Sequence, residues 1–204
     1  GRPFVKNFWI VLEKLLVPRV HSAYSVNESL AKMYSVKYGI DFGVVRNVPD
    51  GDLEEEEYSV PSDFKQKGFI IYQGAVNKDR GLEELIKNIS ADRYFHFIIA
   101  GDGDVIDRLK AKVDFMGVND LIHFTGKISP GKLKSLTKNA LLGLSLEKKT
   151  NLNYYYALPN KIFDYIRAGI PVLCSAFPEM QKIVEGYQVG RIVDPDKMDK
   201  ISQN

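Results

Sequence analysis

From residue 68 onward the chain alternates between two kinds of hydrophobic pattern. Short, continuous apolar runs cover residues 69–73, 94–100, 121–125, 140–146, 170–175 and 189–193. Between them, residues 81–89, 105–116, 132–138, 160–168 and 179–185 place apolar side chains three and four apart, the period of a helix with one buried face. Runs that are continuous rather than alternating are what strands covered on both faces by helices require. Strand, helix and strand in this repetition predict an α/β domain built on a doubly wound parallel sheet with right-handed crossovers.

The first sixty residues follow a different count. Residues 4–17 have helical period, 19–26 read as a strand, and 27–38 read as a helix that Asn27 can cap and Gly39 can end. Residues 42–48 form another extended run before Pro49, Asp50, Gly51 and Asp52 turn the chain. This is the pattern of the tail of a separate α/β unit. The acidic run Glu54, Glu55, Glu56 and Glu57, followed by Pro61, predicts an exposed polar connector. The expected division is therefore 1–60, a remnant of a second α/β domain with its hinge, and 61–204, the doubly wound domain.

Composition narrows the functional classes. With 204 residues, 28 Lys+Arg and 26 Asp+Glu, the formal net charge is +2, which argues against a bulk nucleic-acid binder and its basic stripe. A single cysteine, Cys174, excludes a disulfide framework and leaves too few thiols for a zinc knuckle or iron–sulfur site, so a reducing compartment fits best. The apolar stretch from Phe8 to Leu12, flanked by Lys6, Glu13 and Lys14, is far short of the roughly 20 residues of a membrane span. The start shows no signal-peptide pattern. These features lead us to expect a cytoplasmic protein.

Open parallel sheets bind ligands outside the carboxyl ends of their strands. After the first predicted strand come Gly74 and, six residues on, Arg80. The glycine permits close backbone approach and the guanidinium suits phosphate oxygens; a plain turn with a solvated basic face is the alternative. After the second strand, Gly101-Asp102-Gly103-Asp104 has the G-x-G spacing, but Ile106 stands where a dinucleotide fingerprint needs its third glycine, and two aspartates would repel a pyrophosphate. The most informative stretch runs from Leu158-Pro159-Asn160-Lys161 through Ile162-Phe163-Asp164 to Gly169-Ile170-Pro171. Proline pre-organises a helix start, so the backbone N–H groups of Asn160, Lys161 and Ile162, with the Lys161 ammonium, suit a diphosphate. Asp164, one turn in, could accept hydrogen bonds from ribose hydroxyls. The alternative makes Lys161 and Asp164 a surface pair.

Taken together, Tyr72-Gln73-Gly74 with Arg80-Gly81, then Ile98-Ile99-Ala100-Gly101-Asp102-Gly103, then His123-Phe124-Thr125-Gly126-Lys127, and finally Pro159-Asn160-Lys161-Ile162-Phe163-Asp164-Tyr165 resemble, in order and spacing, the donor half of GT-B glycosyltransferases. They are most similar to the retaining, nucleotide-sugar-dependent enzymes of family 4, over roughly residues 66–195; Arg46-Asn47-Val48-Pro49-Asp50 resembles that family's interdomain hinge. The resemblance implies a Rossmann-like donor domain and a nucleotide diphosphate sugar as co-substrate, with no other cofactor and no metal. It places the ribose on Asp164, the diphosphate on Asn160, Lys161, Ile162 and Arg80, the base on the loop Gly126, Lys127 and Ile128, and Gly74, Gly101 and Gly103 in the nucleotide pocket. It assigns no catalytic residue. The acceptor, a glycan or a lipid-linked or polysaccharide intermediate, would be held by the missing part of the acceptor domain.

Two departures stand out. Ala75 replaces the family's first basic residue, and Tyr156 lies where the first glutamate of its E-x7-E signature would fall, in a stretch Asn151-Leu152-Asn153-Tyr154-Tyr155-Tyr156. Asn151, Asn153 or a tyrosine hydroxyl could serve there instead of the carboxylate. The rivals are a non-catalytic nucleotide-sugar-binding module and a nucleotide-sugar epimerase of the same fold. His21, His96 and His123 are expected within strands without metal spacing, and Cys174 as a core thiol. Phe4, Phe8 and Trp9 share a helical face beside Lys6 and Lys14; packing inside the protein is expected, with a membrane surface or the missing domain as alternatives.

Overall fold

The computed structural model describes residues 3–47, 54–89, 95–195 and 197. The chain divides into two compact units, 1–47 and 48–204. The expected turn at Pro49 to Asp52 and the hinge residues Val48, Pro49 and Asp50 lie outside the described residues.

The first unit contains helix α1 (Pro3–Leu16), a single 3-10 turn Val17–Arg19, strand β1 (Ala23–Ser25), helix α2 (Glu28–Tyr38) and strand β2 (Phe42–Val44). The two strands pair in parallel, Ala23 opposite Phe42. Asn27 caps α2 as expected, its side chain accepting from Leu30 N at 2.9 Å, and Gly39 ends the helix at φ 68°. The first strand is shorter than the expected 19–26 because Pro18, lacking an N–H, sits in the 3-10 turn; His21 therefore precedes the strand. The apolar face of α1 does not pack inside: Phe4 is 81% exposed and Trp9 60%.

The second unit begins with irregular residues 54–61 and a short helix, α3 (Ser62–Lys67), that the periodicity did not reveal. Strands β3 (Phe69–Gln73), β4 (His96–Ala100), β5 (Ile122–Gly126), β6 (Leu142–Ser145), β7 (Val172–Ser175) and β8 (Gly190–Val193) follow. Helices α4 (Leu82–Ile89), α5 (Ile106–Met116), α6 (Pro130–Lys138), α7 (Leu152–Tyr155), α8 (Asn160–Arg167) and α9 (Pro178–Val184) are interleaved with them. All strand pairs are parallel, in the order β5-β4-β3-β6-β7-β8. This is the doubly wound order expected from the hydrophobic runs.

Alternate residues of each strand supply two core layers. Ile70, Tyr72, Phe97 and Ile99 face α4 and α5, with Leu82, Ile86 and Leu109 beneath them. Phe69, Ile71, Ile98 and Cys174 face the opposite side, where α6, α8 and α9 contribute Leu136, Ile162, Tyr165 and Met180. All five residues of β3 are buried, which is why its pattern is continuous.

The acidic run is exposed but not idle. Glu55 pairs with Lys138 at 3.3 Å and Lys134 at 3.7 Å, and Glu56 accepts from the Ser129 hydroxyl at 2.9 Å. Tyr58 meets His123 at 3.1 Å, and Phe64 of α3 packs its ring 4.5 Å from that of His96. The connector thus lies on the second unit.

Candidate functional site

The order of the sheet reverses between β3 and β6, whose next neighbours in sequence lie on opposite sides, and the carboxyl ends of such strands are where open parallel sheets take ligands. Gln73 and Gly74 close β3 there, Ser145 closes β6, and the amino end of α8 arrives beside them.

At this place the structure puts a residue that the sequence reading did not single out. Glu147, two residues past β6, is completely buried. Its Oε1 lies 3.2 Å from Arg80 Nη1 and 3.4 Å from Lys161 Nζ, and the Ser145 hydroxyl donates to Oε2 at 2.9 Å. Ser175 donates to its carbonyl at 2.6 Å. Burial pushes the carboxyl pKa up, but Lys161, the Ser145 hydrogen bond and Arg80 together outweigh that and hold it below the ordinary glutamate value. Each cation also lies over an aromatic face: Arg80 is 4.7 Å from the Tyr154 ring and Lys161 4.0 Å from the Tyr72 ring. Two cations drawn from different elements are thereby fixed in one place. Arg80 Nε is buried and has no hydrogen-bond partner among the described residues, so one donor of the guanidinium stays unsatisfied.

The helix tip is as expected in part. Pro159, at φ −68° and ψ 139°, starts α8 without a side-chain cap. The Ile162 N–H, however, donates to the Pro159 carbonyl at 3.1 Å and its side chain is wholly buried, so Ile162 belongs to the core and the tip's open donors are those of Asn160 and Lys161. Asp164 accepts from Gln73 Nε2 at 2.9 Å. Burial raises its pKa, while the Gln73 hydrogen bond and Arg167 pull the other way and do not cancel the rise.

The glycine loops have a packing reason of their own. Gly101, at φ +145°, would bring a Cβ within 1.9 Å of the Gly74 carbonyl, and Gly103 within 2.4 Å of Val76 O. The second loop presses directly on the first, and Gly101 N donates to Gly126 O at 3.0 Å. Gly74 stands beside the stem of Lys161, with 3.7 Å between an added Cβ and Lys161 Cε. In the loop after β5, Lys127 is exposed and the half-buried Ile128 packs its side chain on the lower core layer.

Arg80 and Lys161 are therefore brought together on Glu147, with Gly74 beside the Lys161 stem, and Asn160 shares the first turn of α8 with Lys161. Asp164, one turn further along α8, lines with Gln73 a cavity between α6 and α8, and Gly101, Gly103 and Gly126 lace the neighbouring loops. In the aromatic stretch, Asn151 is occupied as the cap of α7, accepting from Tyr154 N at 2.9 Å. Tyr155 is pinned between Phe177 and Tyr156. Among the described residues no group of three or more His, Cys, Asp or Glu could hold a metal ion, and no helix is long and apolar enough to cross a membrane.

The sequence profile of the Glycosyl transferases group 1 family matches residues 54–204, three quarters of the chain and the whole of this site. The chain belongs to the group 1 glycosyl transferases. Solved structures with the same fold include the Anabaena protein Alr3699/HepE in complex with UDP and glucose, at TM-score 0.72 and 16% identity over 95% of this chain and 55% of that one. The sucrose-phosphate synthase of Thermosynechococcus elongatus gives TM-score 0.71 at 18% identity, over 96% of this chain and 51% of that one. TarM of S. aureus, in complex with UDP among other ligands, gives 0.64 at 13% identity, over 97% and 39%. At such identities the likeness shows the fold, that of a GT-B glycosyltransferase C-terminal domain. The chain spans 39% to 55% of the length of these three proteins. No curated protein sequence matches it.

Proposed function

We propose that residues 54–204 of this glycosyl transferase bind a nucleotide diphosphate sugar and supply the donor side of a sugar transfer. The observation that carries this reading is the convergence of Arg80 and Lys161 on the crevice, both fixed by the buried Glu147, beside the open N–H groups of α8. Two cations against one carboxylate leave the cluster one positive charge in excess, which suits a diphosphate. Asp164 would hold the ribose, the Gly126, Lys127 and Ile128 loop the base, and the Asn153 and Tyr154 side of the crevice the sugar.

When the bond between sugar and diphosphate breaks, negative charge grows on the departing phosphate. Pre-placed guanidinium, ammonium and helix N–H donors stabilise that charge without reorganising. This chemistry calls for no metal and no cofactor beyond the nucleotide sugar. HepE and TarM, named above for their complexes with UDP, support a nucleotide donor here. The acceptor, a glycan or lipid-linked intermediate, would be held by protein beyond this chain, on the cytoplasmic side; the exposed aromatic face of α1 is the candidate for contact with a membrane surface or with that further protein. The second reading is a donor-binding module without turnover, favoured by Tyr156 at the signature's first glutamate.

Titration calorimetry of the chain with UDP, GDP and ADP, each alone and as its sugar conjugate, tests the proposal. One base is expected to bind with a dissociation constant below about 1 mM, a free energy of roughly −4 kcal/mol. Failure of all three would remove it. Sugar transfer by the full-length protein, with the anomeric configuration followed by NMR, separates the transferase from the module.

A further inference from the structure

The carboxylate proposed to hold the ribose is not left to choose its own orientation. Asp164 Oδ2 accepts from Gln73 Nε2 at 2.9 Å, and Gln73 Oε1 lies 2.7 Å from the Thr137 hydroxyl. That hydroxyl is also 2.8 Å from the Leu133 carbonyl, so one proton serves two acceptors. An ionised carboxylate only accepts, which fixes the amide with its nitrogen toward Asp164 and its oxygen toward Thr137. The glutamine backbone is held too, its N–H directed at the Tyr165 hydroxyl at 3.2 Å, which donates to Leu144 O at 3.1 Å. Three elements, α6, β3 and α8, thus meet in one polar chain.

That chain is costly where it stands. Gln73 is 4% exposed and Thr137 2%, and the other four residues of β3 are buried and apolar or aromatic. A hydrophobic side chain at position 73 would join the lower core layer at no polar cost, whereas a buried amide is tolerable only with both ends satisfied. What the glutamine adds is direction. Gln73, Thr137 and Asp164 all line a cavity of about 270 Å³ between α6 and α8, so the hydrogen-bonded chain that orients Asp164 borders open space.

We propose that Gln73 is the positioning residue for ribose recognition: through the Thr137–Gln73–Asp164 chain it takes Oδ2 of Asp164 and presents Oδ1 to a ribose hydroxyl. The proposal rests on the donor-site reading above. It makes discrimination between ribose and a sugar without hydroxyls a property of position 73 as much as of position 164.

The test compares UDP with 2′,3′-dideoxy-UDP by titration calorimetry on the wild-type chain and on Gln73→Met, Thr137→Val and Asp164→Ala; if GDP or ADP binds more tightly than UDP, that nucleotide and its dideoxy form are used. The wild type is expected to prefer the ribose form by about tenfold or more, as a hydrogen bond to a charged group implies. Asp164→Ala abolishes that preference. Gln73→Met reduces it to about twofold while leaving the affinity for the dideoxy form unchanged, and Thr137→Val, which keeps shape and loses only the hydroxyl, gives an intermediate ratio. A merely structural glutamine would lower both nucleotides together and keep the ratio, and that result overturns the proposal. An unchanged ratio in both Gln73→Met and Thr137→Val does the same. If the wild type binds no nucleotide, the donor reading itself fails and this one with it.

Discussion

Glu147 shows how much depends on single side chains here. It is a buried carboxylate between two cations, one of them, Lys161, itself only 9% exposed. Removing one partner of such a cluster leaves charge uncompensated in the interior, so Glu147→Ala is expected to cost about 3–5 kcal/mol in a urea melt, and Glu147→Gln, which keeps the shape and the Ser145 contact, distinctly less. At Asp164 the raised pKa gives donor binding a pH dependence. Ribose hydroxyls donate best to the ionised form, so affinity should fall as pH drops, beginning above the range of an ordinary aspartate; Asp164→Asn should flatten the profile measured by calorimetry. Cys174 is buried and its thiol is pushed up to about 12, so native protein should resist thiol reagents at pH 8 and react fully only in denaturant. Arg80, Lys161 and Asp164 were legible as candidates because strand ends and a proline-led helix start announce themselves. Glu147 and Gln73 were not: one looks like a surface charge following an apolar run, the other like the last residue of a strand, and only the sheet order shows that both stand at the reversal.

Among the elements, the six strands of the large sheet and the helices between them were readable because burial on both faces leaves continuous apolar runs; five of the six strands fall inside the expected ranges, and β5 runs one residue past its own, to Gly126. The elements that escaped are α3 and α7, six and four residues long, too short to show a period. Phe64 is the buried residue of α3, packed in the lower core layer against the rings of His96 and His123. The cap of α2 was legible from Asn27 and Gly39, and Asn27→Ala should destabilise that unit by about 1 kcal/mol in thermal melts. The acidic run reads as a linker from its composition. Its partners Lys134, Lys138 and Ser129 lie more than seventy residues away, beyond any local signal.

For the molecule as a whole, the pH dependence of stability follows from two buried groups, His96 and Glu147, and the half-buried His123. His96 and His123 both have lowered pKa values, through burial and, for His96, the nearby Lys67, against the opposing Asp63 and Asp120. A histidine depressed in the folded state keeps its contribution to folding above its unfolded value of 6.5 and loses it as pH falls from there through the lower folded value. Glu147, depressed below 4.5, keeps its contribution above that value and loses it further down. Thermal stability should therefore decline in two steps on acidification, the first beginning below pH 6.5 and reduced in His96→Gln, the second below 4.5. The parallel order with its reversal between β3 and β6 sets Gln73, the Glu147 cluster and the amino end of α8 near the carboxyl ends of neighbouring strands, and the profile match over residues 54–204 makes the whole unit part of the group 1 glycosyl transferases.

The most direct test of that account is a calorimetric titration of the chain with nucleoside diphosphates, repeated on Lys161→Met. Arg80, Lys161 and the amino end of α8 together predict that UDP, GDP or ADP binds the wild type, and that the variant loses about tenfold or more in affinity while remaining folded by circular dichroism. Equal affinity in the two proteins would contradict it.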